Sequence, residues 1–304
     1  DLQAAAAAGA QPILVMTGKG VKTASDPALP PETLMFADLA AAVEHLTQQY
    51  PTMSFLRSIL FMLVLLIVTP PYALFMIFCF PLPHRARRYT AVPWVFMTIW
   101  LIKHLLRIDY RVLGRENIPA RPAVILSKHQ SAWETVVLQE VFPLGLFVWK
   151  REIKWQLPFF GWALAVIPMI SIDRGAGKNA LKQLTDQGKL RLSQGYPVII
   201  FPEGTRVAPG HHRRYKVGGA HLGVEAGAPV LPVALNSGEV WGRNAFFKRP
   251  GTVTVSIGPA IDPTGLSAEE VNARAEAWME AEMARISPHL YRSETAQPAT
   301  HPAA

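Results

Sequence analysis

The hydrophobic positions of the chain include one long run without any formal charge. Residues 58–80 contain no Asp, Glu, Lys or Arg across 23 positions. A helix of that length reaches about 34 Å, enough to cross the roughly 30 Å hydrocarbon core of a bilayer. Pro70 and Pro71 lie inside the run, so a kinked span and a re-entrant pair of half-helices both remain open. The pattern predicts a membrane-anchoring helical segment.

A second apolar run follows a cluster of basic residues. Residues 91–102 are mostly apolar, and a run this short suits a helix that lies at the membrane surface. Arg85, Arg87 and Arg88 stand between the two runs. Because positive charges next to a membrane segment favour the cytoplasmic side, the cluster places that side in the cytoplasm. We assign residues 53–106 to membrane-anchoring helices.

Beyond the second run, short apolar stretches alternate with helical patterns. Strands are predicted at residues 123–127, 146–149, 167–172, 198–201, 230–235 and 253–257. Helices are predicted between several of them, notably at residues 132–141 and 177–194. Continuous apolar strands separated by helices indicate a largely buried sheet. The predicted fold class is α/β, with a central mostly parallel sheet flanked by helices and preceded by the membrane-anchoring segment.

The last predicted helix has a defined start. Ser267 and Glu270 have the spacing of a capping box. Its predicted buried stripe comprises Val271, Ala275, Trp278, Met279, Met283 and Ile286. After it, residues 287–304 are rich in Pro, Ala, Thr and His and are typical of a flexible tail. Residues 107–286 are therefore predicted to form one globular domain.

Composition and charge narrow the class of protein. Half of the residues are hydrophobic and 17% are charged, against about 25% charged in an average soluble domain, which excludes a disordered chain. The single cysteine, Cys79, excludes a disulfide framework and a cysteine zinc cluster, and no other metal site is expected. The net charge of +8, together with the high hydrophobic content, favours an anionic membrane surface over nucleic acid as the partner.

The first 52 residues differ from the rest of the chain in net charge and in composition. They carry two lysines against five acidic residues, so the remaining chain has 28 basic against 17 acidic residues and a net charge of +11. The segments QPILVMTGKGVKT and LPPETLMFADLAAAVEHL resemble the last strand and helix of a sugar-phosphate phosphatase of the haloacid dehalogenase type. The nucleophilic D-x-D motif of that family is missing from this segment. Two interpretations follow. One is a gene fusion, and the other is that the start of the protein has been placed too early and that Met53 is the true start. We favour the second.

The first candidate for chemistry is the segment KHQSAWET, which contains His129 and Glu134. Two residues five apart on one helix point about 140° away from each other. They can meet if His129 lies on the loop after the strand and Glu134 on the first turn of the helix. An imidazole with a carboxylate behind it is the pair that activates a hydroxyl. A purely structural hydrogen bond is the alternative.

The second candidate is the segment FPEGTR at residues 201–206, again at the end of an apolar strand. A guanidinium offers a planar fork for phosphate, and a glycine allows close approach of the backbone. Arg206 and Gly204 therefore suit an anionic ligand. The alternative is a turn with a surface ion pair.

Taken together, these motifs resemble a known family. HQSAWE, then IDR at residues 172–174, then FPEGTR, then VLPVAL are similar to the four ordered blocks of the glycerolipid acyltransferase family. The segment KREIKWQLPFFG is similar to the stretch between the first two blocks. The resemblance covers about residues 54–286. It implies an enzyme of the bacterial inner membrane with its catalytic domain on the cytoplasmic face.

The resemblance also implies a reaction. His129 would deprotonate the free hydroxyl of lysophosphatidate, which then attacks an acyl thioester and gives phosphatidate. The acyl donor would be acyl-CoA or acyl-carrier protein as a co-substrate, without a further cofactor. Glu134 stands where the family usually has Asp, so its extra methylene puts the distance to His129 in question.

The remaining site residues are implied in the same way. The acceptor phosphate would be bound by Glu203, Gly204, Thr205 and Arg206, with Arg174 as a second positive contact. Lys150 and Lys216 would contact the substrate or the carrier. Arg213, Arg214 and Lys216 are open to another interpretation, a solvated basic loop that meets lipid headgroups or an acidic carrier.

Three other functions remain open at this point. One is the same chemistry on another lysophospholipid or a lyso-aminolipid. Another is a non-catalytic membrane protein that binds lipid or carrier, since Glu134 departs from the usual motif. The last is a bifunctional fusion of a phosphatase with an acyltransferase.

Overall fold

A computed structural model describes residues 2–7, 11–49, 52–156, 159–173, 175 and 177–291. The helices of this part are α1 (Leu2–Ala7), α2 (Gly20–Ala24), α3 (Leu39–Gln49), α4 (Thr52–Phe78), α5 (His84–Thr90), α6 (Val92–His104), α7 (Glu134–Val141), α8 (Ile153–Gln156), α9 (Phe160–Val166), α10 (Lys178–Ser193), α11 (Gly218–Ala226) and α12 (Ala268–Ile286). The strands are β1 (Ile13–Val15), β2 (Leu34–Phe36), β3 (Ile108–Leu113), β4 (Val124–Ser127), β5 (Leu146–Lys150), β6 (Ile170–Ile172), β7 (Val198–Ile200), β8 (Val230–Leu235) and β9 (Gly251–Ile257).

The main sheet has seven strands in the order β3-β9-β8-β4-β7-β5-β6. Every neighbouring pair is parallel except β8 and β9, which are antiparallel. The predicted α/β class with a mostly parallel sheet is confirmed. Two expectations about strands were wrong. The edge strand β3 was not predicted, and the strand predicted at residues 167–172 begins only at Ile170.

Helices cover both faces of the sheet. Because successive residues of a strand point to opposite sides, each inner strand contacts both layers. On β4, Ile125 packs with residues of α6 and α7. Its neighbours Val124 and Leu126 pack on the other face with residues of α10, α11 and α12. All four residues of β4 are buried. This strand therefore lies at the centre of the domain, and the segment that follows it carries His129.

The C-terminal helix α12 begins as predicted. The Glu270 amide donates to Ser267 Oγ at 3.2 Å, and the Glu270 carboxylate accepts from the Ser267 amide at 2.8 Å. Both bonds of the capping box are present. Four members of the predicted stripe are buried, namely Val271, Ala275, Met279 and Met283. Trp278 and Ile286 are only partly buried.

Helix α4 contains the long uncharged run. It is one continuous helix of 27 residues through Pro70 and Pro71, rather than two half-helices. In the part of the chain that the structure describes, it is the one helix long and apolar enough to cross a membrane. It fits association with a membrane. Ala73 and Met76 pack against residues of α9, which joins this helix to the globular domain.

Helix α6 corresponds to the second apolar run. Val95, Ile99 and Ile102 are buried in the core cluster shared with α7 and the sheet. Phe96 and Trp100 are more than half exposed on the opposite side. The helix therefore packs on the globular domain with one face and exposes an aromatic face.

Residues 11–49 form a small unit of their own. Strands β1 and β2 pair in parallel, with Ile13 opposite Leu34, and α3 follows β2. The strand and helix expected here are present. The resemblance of this segment to a haloacid dehalogenase-type phosphatase stays a prediction.

Candidate active site

The first candidate motif folds into a loop and the start of a helix at the carboxyl end of β4. His129 lies on the loop, and Glu134 is the first residue of α7. His129 Nδ1 and Glu134 Oε2 are 3.0 Å apart. The side chain of His129 is 13% exposed, whereas that of Glu134 is fully buried. The two side chains meet in the way the loop-and-helix placement predicts, and the longer Glu side chain still reaches the imidazole.

Glu134 is fixed by the backbone around it. Its Oε1 accepts from the amides of Gln130 at 3.0 Å and Ser131 at 2.8 Å. The Ser237 hydroxyl also donates to Oε1. A carboxylate at the first turn of a helix is further favoured by the helix dipole. Because Oε2 accepts from His129 Nδ1–H in this arrangement, we assign the imidazole a free Nε2 lone pair, which is the form that acts as a base.

The His129 ring is held from its face as well as from its edge. It stacks on Phe201, with 3.9 Å between the ring centroids and an interplanar angle of 13°. The carbonyl oxygen of His129 accepts from the Val207 amide at 2.8 Å. The imidazole is therefore fixed in orientation before any substrate binds.

Glu203 lies behind His129 rather than in front of it. Its buried carboxylate accepts from the His129 amide at 2.8 Å and from Lys128 Nζ at 2.6 Å. Burial raises the pKa of Glu203, against the opposing effect of Lys128. The carboxylate does not line the cavity described next. Both oxygens of Glu203 thus hold the loop of His129, and its predicted contact with the acceptor phosphate stays a prediction.

Lys128 completes a buried charged network. Besides Glu203, its ammonium contacts Glu280 Oε1 at 2.8 Å, and the Tyr215 hydroxyl donates to the same oxygen at 2.8 Å. Burial opposes the charge of Lys128, but the two carboxylates outweigh it and raise the pKa of the ammonium. This network ties the loop of His129 to α12 and to the chain before α11.

One cavity of about 780 Å³ opens in front of His129. Its polar end is lined by His129, Gly204, Thr205, Arg206, Lys216 and Arg243. Burial lowers the pKa of Arg206, and the nearby Arg243 lowers it further, while Glu134 opposes the shift. Two guanidiniums that repel each other beside a base make this end of the cavity suited to an anion.

The turn of the second motif requires its glycine. Gly204 has φ of +72°, and a Cβ at this position would lie 3.0 Å from Lys216 Nζ. The positive φ favours glycine at residue 204, and a side chain there would also crowd Lys216. Lys216 is positioned in turn by its amide, which donates to the Pro202 carbonyl at 2.9 Å.

The other end of the cavity is apolar and is built from several helices. Helix α4 contributes Thr69, Tyr72, Ala73 and Met76. The remaining apolar lining comes mainly from α6, α9 and α10 and includes Ala91, Trp94, Val95, Phe160, Ala163, Leu164, Ile167, Leu181 and Leu184. A single chamber thus joins a basic, reactive end to a hydrophobic one.

The other predicted site residues have different positions. Lys150, the last residue of β5, lines the cavity. Arg213 and Arg214 are exposed and do not line it. Arg174 lies outside the described residues.

Sequence reasoning missed Ser237, Arg243 and Asn244. The last two lie in the loop between β8 and β9 and line the cavity; Asn244 has φ of +55°. No sequence motif identifies these residues. Their one signal in the sequence is that they follow the strand VLPVAL, whose carboxyl end lies at the same edge of the sheet as the site. Among the residues that the structure describes, no group of three or more His, Cys, Asp or Glu could hold a metal ion.

Comparison with known proteins gives consistent results. A family model described as Acyltransferase matches residues 109–236. The 1-acyl-sn-glycerol-3-phosphate acyltransferase of Pseudomonas aeruginosa is 45% identical over 252 residues, which cover 81% of this chain and 98% of that protein. The human 1-acyl-sn-glycerol-3-phosphate acyltransferase alpha is 30% identical over 178 residues, covering 58% of this chain and 62% of that protein.

A solved structure is similar in fold. The crystal structure of the 1-acyl-sn-glycerophosphate (LPA) acyltransferase from Thermotoga maritima matches with a TM-score of 0.64 and 24% identity. The match covers 76% of this chain and 95% of that one.

Proposed function

Because the chain belongs to the 1-acyl-sn-glycerol-3-phosphate acyltransferase family, we propose that it acylates the free hydroxyl of lysophosphatidate to give phosphatidate. One observation carries the proposal. His129, paired with Glu134, lines a single cavity whose walls include both basic side chains and a large apolar set. Lysophosphatidate has the matching parts, a hydroxyl between a phosphate and an acyl chain.

In the proposed reaction, His129 is the general base. Its Nε2 accepts the proton of the acceptor hydroxyl as the hydroxyl oxygen attacks the thioester carbonyl carbon. The carbon–oxygen bond forms, the carbon–sulfur bond breaks, and the imidazolium returns the proton to the leaving thiolate. Glu134 stabilises the imidazolium and holds it in place, as the acid of a catalytic triad does. No acyl-enzyme is required, and the donor is acyl-CoA or acyl-carrier protein.

The basic end of the cavity would bind the acceptor phosphate. Arg206, Arg243 and Lys216 supply three positive groups, and Thr205 adds a hydroxyl. A phosphate dianion between the two guanidiniums would relieve their mutual repulsion and form charge-assisted hydrogen bonds. Glu203 is assigned a different task, since its carboxylate holds the His129 amide and Lys128. We call it a positioning residue.

The apolar end would take an acyl chain. A volume of about 780 Å³ lies within the usual range of about 300–1,000 Å³ for small-molecule sites. Its lining is aliphatic and aromatic, which favours a hydrocarbon chain over a polar group. We further propose that the enzyme lies in a bacterial inner membrane with the catalytic domain on the cytoplasmic face. The arginines after α4 support that orientation.

The proposal is tested by acyl transfer in reconstituted vesicles. The full chain is given lysophosphatidate and either acyl-CoA or acyl-carrier protein, and phosphatidate is measured. His129→Ala should abolish turnover, whereas Glu225→Gln, which removes an exposed carboxylate paired with Lys189, should not change it. Undiminished turnover in His129→Ala would overturn the mechanism.

The acceptor is tested separately. A panel of lysophosphatidate, other lysophospholipids and a lyso-aminolipid is compared at equal surface density. We expect the phosphate monoester to be preferred, and Arg206→Ala to raise KM for it more than it lowers kcat. A preference for an acceptor without a phosphate monoester would overturn the substrate assignment while leaving the acyl-transfer chemistry intact.

A further inference from the structure

A second basic region lies away from the catalytic cavity. Helix α5 carries Arg85, Arg87 and Arg88, and Arg191 stands on the last turn of α10. We call these four residues the α5 cluster. A Cβ on Gly195, just after α10, would lie 3.9 Å from Arg85 Nη2, which places the two elements side by side. None of the four arginines lines the catalytic cavity.

Two cations of the α5 cluster, Arg87 and Arg191, act on one another. Burial lowers the pKa of Arg191, and Arg87 lowers it further, while Tyr196 opposes the shift. Burial also lowers the pKa of Arg88, to about 10. Like charges held this close are unfavourable unless an anion lies between them. Within the described part of the chain, none of the four guanidiniums forms a salt bridge with a carboxylate.

The α5 cluster also has buried hydrogen-bonding groups that are not used. Arg88 is 1% exposed; its Nη2 donates to Gln139 Oε1 at 2.9 Å, but its Nε and Nη1 have no partner. The Nε atoms of Arg87 and Arg191 and the Tyr196 hydroxyl are also buried without a partner. Unpaired buried donors are costly, and charged ones most of all. Several unsatisfied cationic groups in one place favour a nearby acceptor that carries negative charge.

The surroundings of the α5 cluster indicate where that acceptor comes from. The chain reaches α5 directly from the carboxyl end of α4, the helix that fits membrane association. Phe78 is 81% and Phe80 is 62% exposed there, and the Arg87 guanidinium lies 5.3 Å from the Phe80 ring centroid. Exposed aromatic side chains beside cations are typical of the level of lipid headgroups.

We propose that the α5 cluster binds the phosphate of an anionic membrane phospholipid, at a site separate from the catalytic cavity. The phosphate lies over the accessible side of the cluster, at Arg85 and Arg191, where its charge offsets the repulsion among the guanidiniums, and the lipid chains lie along the exposed side chains at the end of α4. Arg88 links this site to the enzyme, because its partner Gln139 also lines the catalytic cavity. The bound lipid thus holds the end of α4 and the wall of the cavity in a fixed relation.

The test is a binding measurement without acyl donor. The full chain in neutral detergent micelles is titrated with phosphatidylglycerol, phosphatidylcholine or inorganic phosphate, and thermal unfolding is followed by tryptophan fluorescence. We expect phosphatidylglycerol to stabilise the chain, and phosphatidylcholine and inorganic phosphate to do so far less. Stabilisation by inorganic phosphate as strong as by phosphatidylglycerol would overturn the lipid as the source of the phosphate.

Variants locate the site. Arg87→Gln/Arg191→Gln should raise the phosphatidylglycerol concentration for half-maximal stabilisation by about tenfold or more, since charge-assisted hydrogen bonds are lost. Arg191→Gln alone should show a smaller rise and keeps the test valid if the double variant does not fold. Arg121→Gln, an exposed arginine that donates only to a backbone carbonyl, is the matched control and should bind as the parent does.

One more variant separates this site from the catalytic one. In an Arg206→Ala background, phosphatidylglycerol should still stabilise the chain with the same midpoint. Loss of that stabilisation would show that the lipid binds in the catalytic cavity and would overturn the proposal. Unchanged binding in Arg87→Gln/Arg191→Gln would overturn it as well. Neither result depends on turnover, so failure here is distinct from failure of the proposed acyl transfer.

Discussion

Replacing Glu134 by Gln tests how the base is held, because Gln keeps the shape of the side chain and removes its charge. Oε1 of Glu134 accepts from the amides of Gln130 and Ser131, and Oε2 accepts from His129 Nδ1. A Gln amide has one oxygen for these two places. With the oxygen toward the backbone amides, its NH₂ faces His129. The proton of the imidazole then moves to Nε2, and His129 can no longer act as a base.

The magnitude follows from the opposite orientation of the Gln amide. Turning the oxygen toward His129 restores the active tautomer but points the NH₂ at the Gln130 amide, which loses its hydrogen bond, whereas the Ser131 amide, 3.0 Å from Oε2, keeps an acceptor. One buried donor left unsatisfied costs about 1–3 kcal/mol. Since each 1.4 kcal/mol is a factor of ten, the active orientation is depleted about 5-fold to 150-fold. We therefore expect kcat of Glu134→Gln to fall at least about 5-fold.

The assay is phosphatidate formation in vesicles under saturating substrate, with the melting temperature measured in parallel. Glu225→Gln again serves as the control. A Glu134→Gln enzyme that is folded and retains more than about half of the parental kcat would refute the assignment of tautomer and partner.

Three further outcomes are expected. Lys128→Met leaves the buried carboxylate of Glu203 without its cation and beside the partly buried carboxylate of Glu280, and should lower the free energy of unfolding by about 3–5 kcal/mol; a loss below about 1 kcal/mol in thermal unfolding would contradict the buried network. Arg243→Ala should raise KM for lysophosphatidate with little change in kcat, and an unchanged KM would exclude it from the phosphate site. Burial lowers the pKa of Lys248 to about 8 from an ordinary value of 10.5, so the unfolded chain holds this proton more tightly. The parent should therefore gain stability relative to Lys248→Met as pH rises from 8 to 10.5, and a constant difference in melting temperature across that range would speak against the shift.

The strands that stand out most clearly in the sequence are those buried on both faces. Strands β4, β7 and β8 lie inside the sheet, so each is a continuous apolar run that stands out from its surroundings. Strand β3 lies at the edge, and its burial alternates with exposed positions such as Asp109 and Arg111. A search for continuous apolar runs does not detect that pattern. The long helix α4 was predictable from length and lack of charge alone.

The site was predictable where it depends on local chain direction. His129 and Glu134 meet because His129 lies on the loop that follows the end of β4 at Ser127, and Glu134 is the first residue of α7. The five-residue spacing of this pair, between the end of an apolar strand and the start of a helix, can be recognised in the sequence. The role of Glu203 was not predictable, because the motif FPEGTR does not say whether its carboxylate faces the cavity or the loop behind it. Arg243 approaches the site through the loop between β8 and β9, and only the tertiary structure brings it beside Arg206.

Helix α4 forms part of the cavity wall through Thr69, Tyr72, Ala73 and Met76, and the same helix fits association with a membrane. The concentration of acceptor that governs the proposed reaction is therefore its amount per unit of membrane surface, not its amount per litre. Adding inert phosphatidylcholine at a constant bulk amount of lysophosphatidate dilutes it in two dimensions and slows turnover. For such an enzyme, KM is expressed as a mole fraction of lysophosphatidate in the membrane. The product enlarges the bilayer, so its accumulation dilutes the remaining lysophosphatidate and lowers the rate.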